Sequence, residues 1–172
     1  MAAFDEFRTR LDSLVYEAEQ EAVEASRERQ RRAEAFRLLL SDFDREADRL
    51  QADVIAPRVE YLAALFPNAV EPEYSEEENY RRRIHLRLGH CAEFPCTADI
   101  TILIVHDADP GHGTVSFDYV ILPAYVTEKY RESASRRVAF GASADADVAS
   151  LLDTAFADFV GHYLTTRSTA PR

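Results

Sequence analysis

From about residue 3 to residue 56 the chain has no Gly and no Pro. Ala, Glu, Arg and Leu dominate this stretch, and all four are strong helix formers. At 1.5 Å per residue one helix over this span would run on the order of 80 Å. That length exceeds a compact domain, so the helix must pair with another helix or fold back on itself.

Two apolar stripes lie along it. Phe4, Phe7, Leu11, Leu14 and Ala18 make the first, and Phe36, Leu40, Phe43, Ala47, Leu50 and Val54 the second. Both have the alternating three-and-four spacing of a coiled-coil seam. The two frames do not join: heptads counted from Phe4 reach Glu21, Ala25, Glu28 and Arg32. The segment between them, Glu19 to Glu34, carries charge on most sides and holds i,i+4 pairs such as Glu28–Arg32. An αα-hairpin turning near Ser26 is the competing reading, and the missing Gly, Pro and Asn argue against it in favour of the long helix. The reading is therefore one long helix that self-associates through Leu11, Leu14, Phe36, Leu40, Phe43 and Leu50. A second copy is its expected partner, giving a homodimer. Pro57 interrupts the helical pattern and predicts a kink or a short second helix ending at Pro67-Asn68.

The rest of the chain reads as a sheet. Ala98, Ile100, Ile102 and Ile104 alternate with Asp99, Thr101, Leu103 and Val105. Val115, Phe117, Tyr119 and Ile121 alternate with Ser116, Asp118, Val120 and Leu122. Side chains on a strand point to opposite faces with period 2, so these are two strands of a hairpin with one apolar face. The Ile and aromatic rows must share that face. This places Ile104 opposite Phe117 and Ile102 opposite Tyr119, or a register shifted by two. Arg81–Leu88 and Arg136–Phe140 read as two further strands, the latter entered through a turn at Glu132–Ser135. Pairing of the first with the isoleucine strand puts Arg87 opposite Asp99. From about Asp145 to Thr165, Val148, Leu151, Leu152, Ala155, Phe156, Phe159, Val160, Tyr163 and Leu164 form an apolar helical stripe.

The expectation is an α+β protein with a long N-terminal helical arm, a four-stranded antiparallel β-sheet and a C-terminal helix packed on one sheet face. The boundaries are 1–66 for the arm, 67–80 for an acidic linker, 81–167 for the sheet domain and 168–172 for a tail. The opposite sheet face, with Leu103, Val105, Val120 and Leu122, is too apolar to stand in water, so the arm or a second subunit should cover part of it.

The net charge is −11, which repels phosphate backbones and argues against nucleic acid as a partner. No run of about 18 apolar residues is present, so no membrane span is expected. The first residues lack the basic and apolar regions of a signal peptide, and only two cysteines occur; a cytoplasmic protein with reduced thiols is expected.

Chemistry-bearing residues gather in three places. His106, Asp107, Asp109 and His112 sit at the hairpin tip, where carboxylates and imidazoles suit a divalent metal but also suit an ordinary Asp/Pro/Gly turn. His90, Cys91 and Cys96 are a second, incomplete metal set. His85 and Asp118 are polar groups for a pocket on the mixed sheet face. Arg81-Arg82-Arg83 alternate between faces, and the preceding acidic run is their economical partner. Gly-rich phosphate loops, Gly-x-Ser-x-Gly and His-Glu-x-x-His are absent from the sequence. His106-Asp107 ends a strand, unlike the His-Asp pair of the all-helical HD phosphohydrolases. No cofactor is expected, with a divalent metal as the alternative. The chain thus reads as a non-enzymatic interaction, scaffold or chaperone-like protein. The rival is a small-ligand or metal-binding domain using the sheet face or the His106–His112 loop.

Phe66-Pro67-Asn68-Ala69, Val105-His106-Asp107, Ile121-Leu122-Pro123 and a helix ending near Tyr163-Leu164 occur in an order that resembles a group of uncharacterised bacterial proteins. The resemblance implies the same element order and transfers no functional residue.

Overall fold

The stretch without Gly or Pro folds as a single helix, α1 (Ala2–Leu50). No residue in it supplies the backbone freedom that a turn near Ser26 would need. A π-helical turn follows at Gln51–Ile55, then α2 (Ala56–Leu65). Pro57 explains the wide turn: its ring would strike the carbonyl four residues back, at Asp53, and it has no N–H to donate. The computed structural model describes residues 2–77, 81–107, 111–123, 129–141 and 143–168. The chain forms two compact units, Met1–Leu40 and Ser41–Arg172. Residues 41–66, expected to belong to the arm, thus cluster with the sheet.

In the second unit five strands make one antiparallel sheet in the order β1-β2-β3-β4-β5. They are β1 (Glu73–Glu77), β2 (Arg81–Leu88), β3 (Cys96–His106), β4 (His112–Pro123) and β5 (Tyr130–Ala139). The strand beyond the four expected is β1, cut from the supposed acidic linker. Glutamate is a poor strand former. Here the neighbouring strand compensates, since Glu76 lies opposite Arg82 and its Oε1 is 3.0 Å from Arg82 Nη1. Acidic side chains on an edge strand also discourage pairing with another sheet. At the other edge β5 includes Glu132–Ser135, the segment expected to turn. It hides its strand character because both of its faces are largely exposed.

The β3–β4 register is the one shifted by two, with Ile102 opposite Phe117 and Ile100 opposite Tyr119. Arg87 does lie opposite Asp99, its Nε 3.2 Å from Oδ1. Gly113, next to the tip, has no space for a side chain: a Cβ there would meet the Phe140 ring and the Val105 carbonyl.

One core holds the second unit together. The Ile/Phe/Tyr face of the sheet packs with α3 (Ala144–Ser168) and with Phe43, Ala47, Leu50, Ile55, Val59 and Leu62. The helical segment therefore joins the face that α3 covers, rather than the opposite one. Leu103, Val105, Val120 and Leu122 on that opposite face stay only partly buried. The reason is one of supply: the isoleucine face leaves more apolar surface than α3 alone can bury. No helix among the described residues is long and apolar enough to cross a membrane.

Ion pairs fix the helical segment in place. Arg49 forks onto Asp145 at the start of α3, with Nη2 2.7 Å from Oδ1 and Nη1 2.9 Å from Oδ2. Its guanidinium holds the Asp145 carboxyl below the ordinary 3.8. A carboxylate with a lowered folded-state pKa contributes stability above its unfolded value, and loses it as the pH falls through the lowered one. The pair is about half exposed, so the contribution is about 1 kcal/mol. Asp145→Asn is expected to lower the urea midpoint at neutral pH and to leave it unchanged in acid below the folded-state pKa. An equal loss at both pH values would show that the charge pair is not the cause.

Candidate functional site

The two strands of the hairpin, β3 and β4, are tied together where they enter its tip. Asp107 donates its N–H to the His112 carbonyl at 3.2 Å, and its Oδ2 lies 2.6 Å from Arg137 Nε. His106 sets its ring edge-on against Phe43, with centroids 5.3 Å apart. Asp109 lies outside the described residues. Arg137 thus neutralises the carboxylate that a metal would need, and the His106 ring packs against Phe43. His90 is exposed, Cys91 half-buried and Cys96 buried in the core, and neither cysteine is in a disulfide. The even register of β3 explains the separation, since Cys96 shares the face of Ile100 and Ile102. Among the described residues no group of three His, Cys, Asp or Glu side chains is placed to hold a metal ion.

His85 and Asp118 share a sheet face but do not converge. His85 is opposite Thr101 and Thr101 opposite Asp118, so one strand separates them. Two strand spacings amount to about 10 Å. His85 instead places Nε2 3.2 Å from Asp99 Oδ1.

The self-association set divides. Leu11, Leu14 and Phe36 are 45%, 54% and 53% exposed. Leu40 is buried, and Phe43 and Leu50 are spent within the core of the second unit. These last two are removed from the seam: the residues that continue the heptad spacing are the ones that bury the isoleucine face. A charged residue at Phe43 would test folding, not assembly.

A constellation absent from the sequence reading lies where β4, β5 and α3 meet. Tyr119 on β4 donates to Glu132 Oε2 at 2.6 Å, and its oxygen also lies 2.6 Å from His162 Nδ1. Tyr130 on β5 lies 3.2 Å from His162 Nε2. The Tyr119 proton goes to Glu132, so Nδ1 carries the hydrogen it donates to Tyr119, while the Tyr130 hydroxyl stands within reach of both His162 Nε2, at 3.2 Å, and Glu132 Oε2, at 3.5 Å. Burial pushes the Tyr119 hydroxyl far above the usual phenol range, and its hydrogen bond to Glu132 adds to this. Tyr119 therefore stays protonated and serves as a fixed donor to the carboxylate.

Beside this chain of hydrogen bonds is a cavity of about 130 Å3, lined by Phe117, Tyr119, Glu132, Ala134, Ala155 and Asp158 among others. Phe117 and Tyr119 are locked by edge-on contacts with Phe156 and Phe159, both at 5.2 Å between centroids. These residues escape a sequence reading for separate reasons. Tyr119 belongs to the core face of its strand, Glu132 falls in a segment with no apolar alternation, and His162 interrupts the α3 stripe. The available signal is the spacing of Ala155, Asp158 and His162, which puts two polar groups on one side of a helix at i, i+4.

No family model matches the chain, and no curated protein or solved structure matches it.

Proposed function

We propose that this protein is a non-enzymatic interaction protein, of scaffold or chaperone-like type, that self-associates through the first forty residues of α1. One observation carries the reading: an unpartnered apolar stripe on a long helix. Phe4, Phe7, Leu11 and Leu14 follow one another at coiled-coil spacing and are 68%, 57%, 45% and 54% exposed. Full burial of such side chains is worth about 1.5–3 kcal/mol each before ordering costs. The middle of the helix supplies no competing apolar face; there Arg32 Nε pairs with Glu28 Oε1 at 2.9 Å, both exposed. A helix without tertiary contacts is marginal in water, whereas knobs-into-holes pairing with a second copy buries the stripe.

The test is a paired substitution on the seam. Leu11→Asp with Leu14→Asp is expected to halve the particle mass on size exclusion with light scattering. It should lower helix content by far-UV circular dichroism while the urea midpoint of the sheet unit stays unchanged. A double variant that keeps its mass and helicity would sink the seam assignment.

A further inference from the structure

We infer that the seam of α1 is antiparallel, with residues 4–21 of two copies side by side and Leu11 facing the partner's Leu14, a direction and register that rest on the self-association proposed above.

The apolar stripe sets the heptad frame. Phe4, Leu11 and Ala18 take position a, and Phe7, Leu14 and Glu21 take position d. Arg8 and Val15 fall at e, while Arg10, Glu17 and Glu24 fall at g. All of these side chains are exposed.

A parallel pair brings each seam residue against its own copy. Phe4 to Ala18 would stack, but Glu21, Glu28 and Arg32 continue the same frame. Each would then face its like charge across the seam. On the flanks, where g meets the following e, Arg10 would lie beside the partner's Val15 and Glu17 beside the partner's Ala22. Glu24 beside the partner's Arg29 is the one opposite-charge contact in that arrangement.

In an antiparallel pair a faces d, g flanks g and e flanks e. The candidate registers differ by one heptad. With Ala18 facing the partner's Glu21, every charged flank repels: Arg10 meets the partner's Arg31, Glu17 the partner's Glu24 and Arg8 the partner's Arg29. With Leu14 facing the partner's Ala18, Leu11 meets the partner's Glu21 and Glu17 meets its own copy. With Phe7 facing the partner's Leu11, Arg8 and Arg10 both meet their own copies.

The remaining register has no like-charge contact. Its layers are Leu11 on the partner's Leu14, Phe7 on the partner's Ala18 and Phe4 on the stem of the partner's Glu21, each made twice by the two-fold axis. On one flank Arg10 meets the partner's Glu17, also twice. On the other the Arg8 stem covers the partner's Val15. Within one helix Arg10 and Glu17 are about 10 Å apart along the axis, so they pair only across the seam. Glu28 and Arg32 stay outside the overlap, in water, and keep their own ion pair at 2.9 Å.

The experiment measures the dimer dissociation constant of the full chain by sedimentation equilibrium in low salt. Arg10→Glu and Glu17→Arg each turn two attractive contacts into two repulsive ones, and each is expected to weaken dimerisation about tenfold. Arg10→Glu combined with Glu17→Arg reverses both partners and is expected to return the constant to within about threefold of the parent. The urea midpoint of the sheet unit should be the same in all four chains. A dimeric parent whose combined variant is as weak as the two single effects multiplied, or whose single variants associate as tightly as the parent, overturns the antiparallel register and leaves self-association standing. A parent of one chain mass at every concentration overturns both.

Discussion

Tyr163→Ala is expected to lower the unfolding free energy of the sheet unit by about 3–5 kcal/mol, the cost of emptying a buried aromatic site. Tyr163 has no exposed surface. Its ring stacks on Phe94 at 5.7 Å and on Phe159 at 5.5 Å, and Phe66 meets it edge-on at 5.2 Å. The cluster joins the end of the helical segment, the loop before β3 and the last turns of α3, so a cavity there loosens three elements at once. The hydroxyl has a separate role. It donates to the Cys96 carbonyl at 3.1 Å and accepts from Asn68 Nδ2 at 2.9 Å. Burial pushes its pKa well up, so it remains a donor at any ordinary pH. Tyr163→Phe keeps the ring and removes only these bonds, for an expected cost of about 1–3 kcal/mol. Urea unfolding followed by circular dichroism separates the two variants. A Tyr163→Ala loss no larger than that of Tyr163→Phe would mean the ring packing contributes little.

Arg82→Met is the second large effect, at about 2–3 kcal/mol. Arg82 is the one buried charged residue among the described residues, with 8% of its side chain exposed, and three carboxylates surround it. Nε donates to Asp48 at 2.9 Å and Nη2 to Asp44 at 3.1 Å, while Nη1 faces Glu76 at 3.0 Å. Burial alone would lower its pKa; the Asp48 hydrogen bond and the three negative charges outweigh that and raise it. Its removal leaves Asp44, Asp48 and Glu76 repelling one another. The effect stays at the lower end for a broken buried ion pair because Asp48 and Glu76 are each 64% exposed and keep their water. Lysine is a poor substitute, since one ammonium cannot span three carboxylates as the guanidinium fork does. Glu76 sits on the edge strand, so the variant should also speed hydrogen exchange at the Glu73–Glu77 amides. Exchange there as slow as in the parent would show that backbone pairing alone holds β1.

What was legible in the residues is what periodicity encodes. The alternation of Ile100, Ile102 and Ile104 with polar neighbours assigned a strand and its core face. The run without Gly or Pro assigned a continuous helix. Arg87 opposite Asp99 followed from pairing two alternating strands. The edges were illegible because neither has an apolar rhythm: β1 is held by charges on its neighbour, and β5 exposes most of its residues. The second apolar stripe was half legible. Phe36, Leu40, Phe43 and Leu50 share one spacing, yet only the packing of the isoleucine face decides which of them the sheet unit consumes. The Tyr119, Glu132 and His162 constellation brings together positions from β4, β5 and α3, and no local pattern carries that juxtaposition. The clusters that proximity in sequence suggested come apart for the same reason. His90 and Cys96 face different environments, and His85 and Asp118 are one strand too far apart.

The account rests on the helix of the first forty residues as a joining element. The most direct measurement is the mass of the unaltered chain by light scattering, taken over a range of concentrations. A particle of twice the 19.5 kDa chain mass, persisting on dilution, is the predicted result. A particle of one chain mass at every concentration, with the full helix content retained, would contradict it.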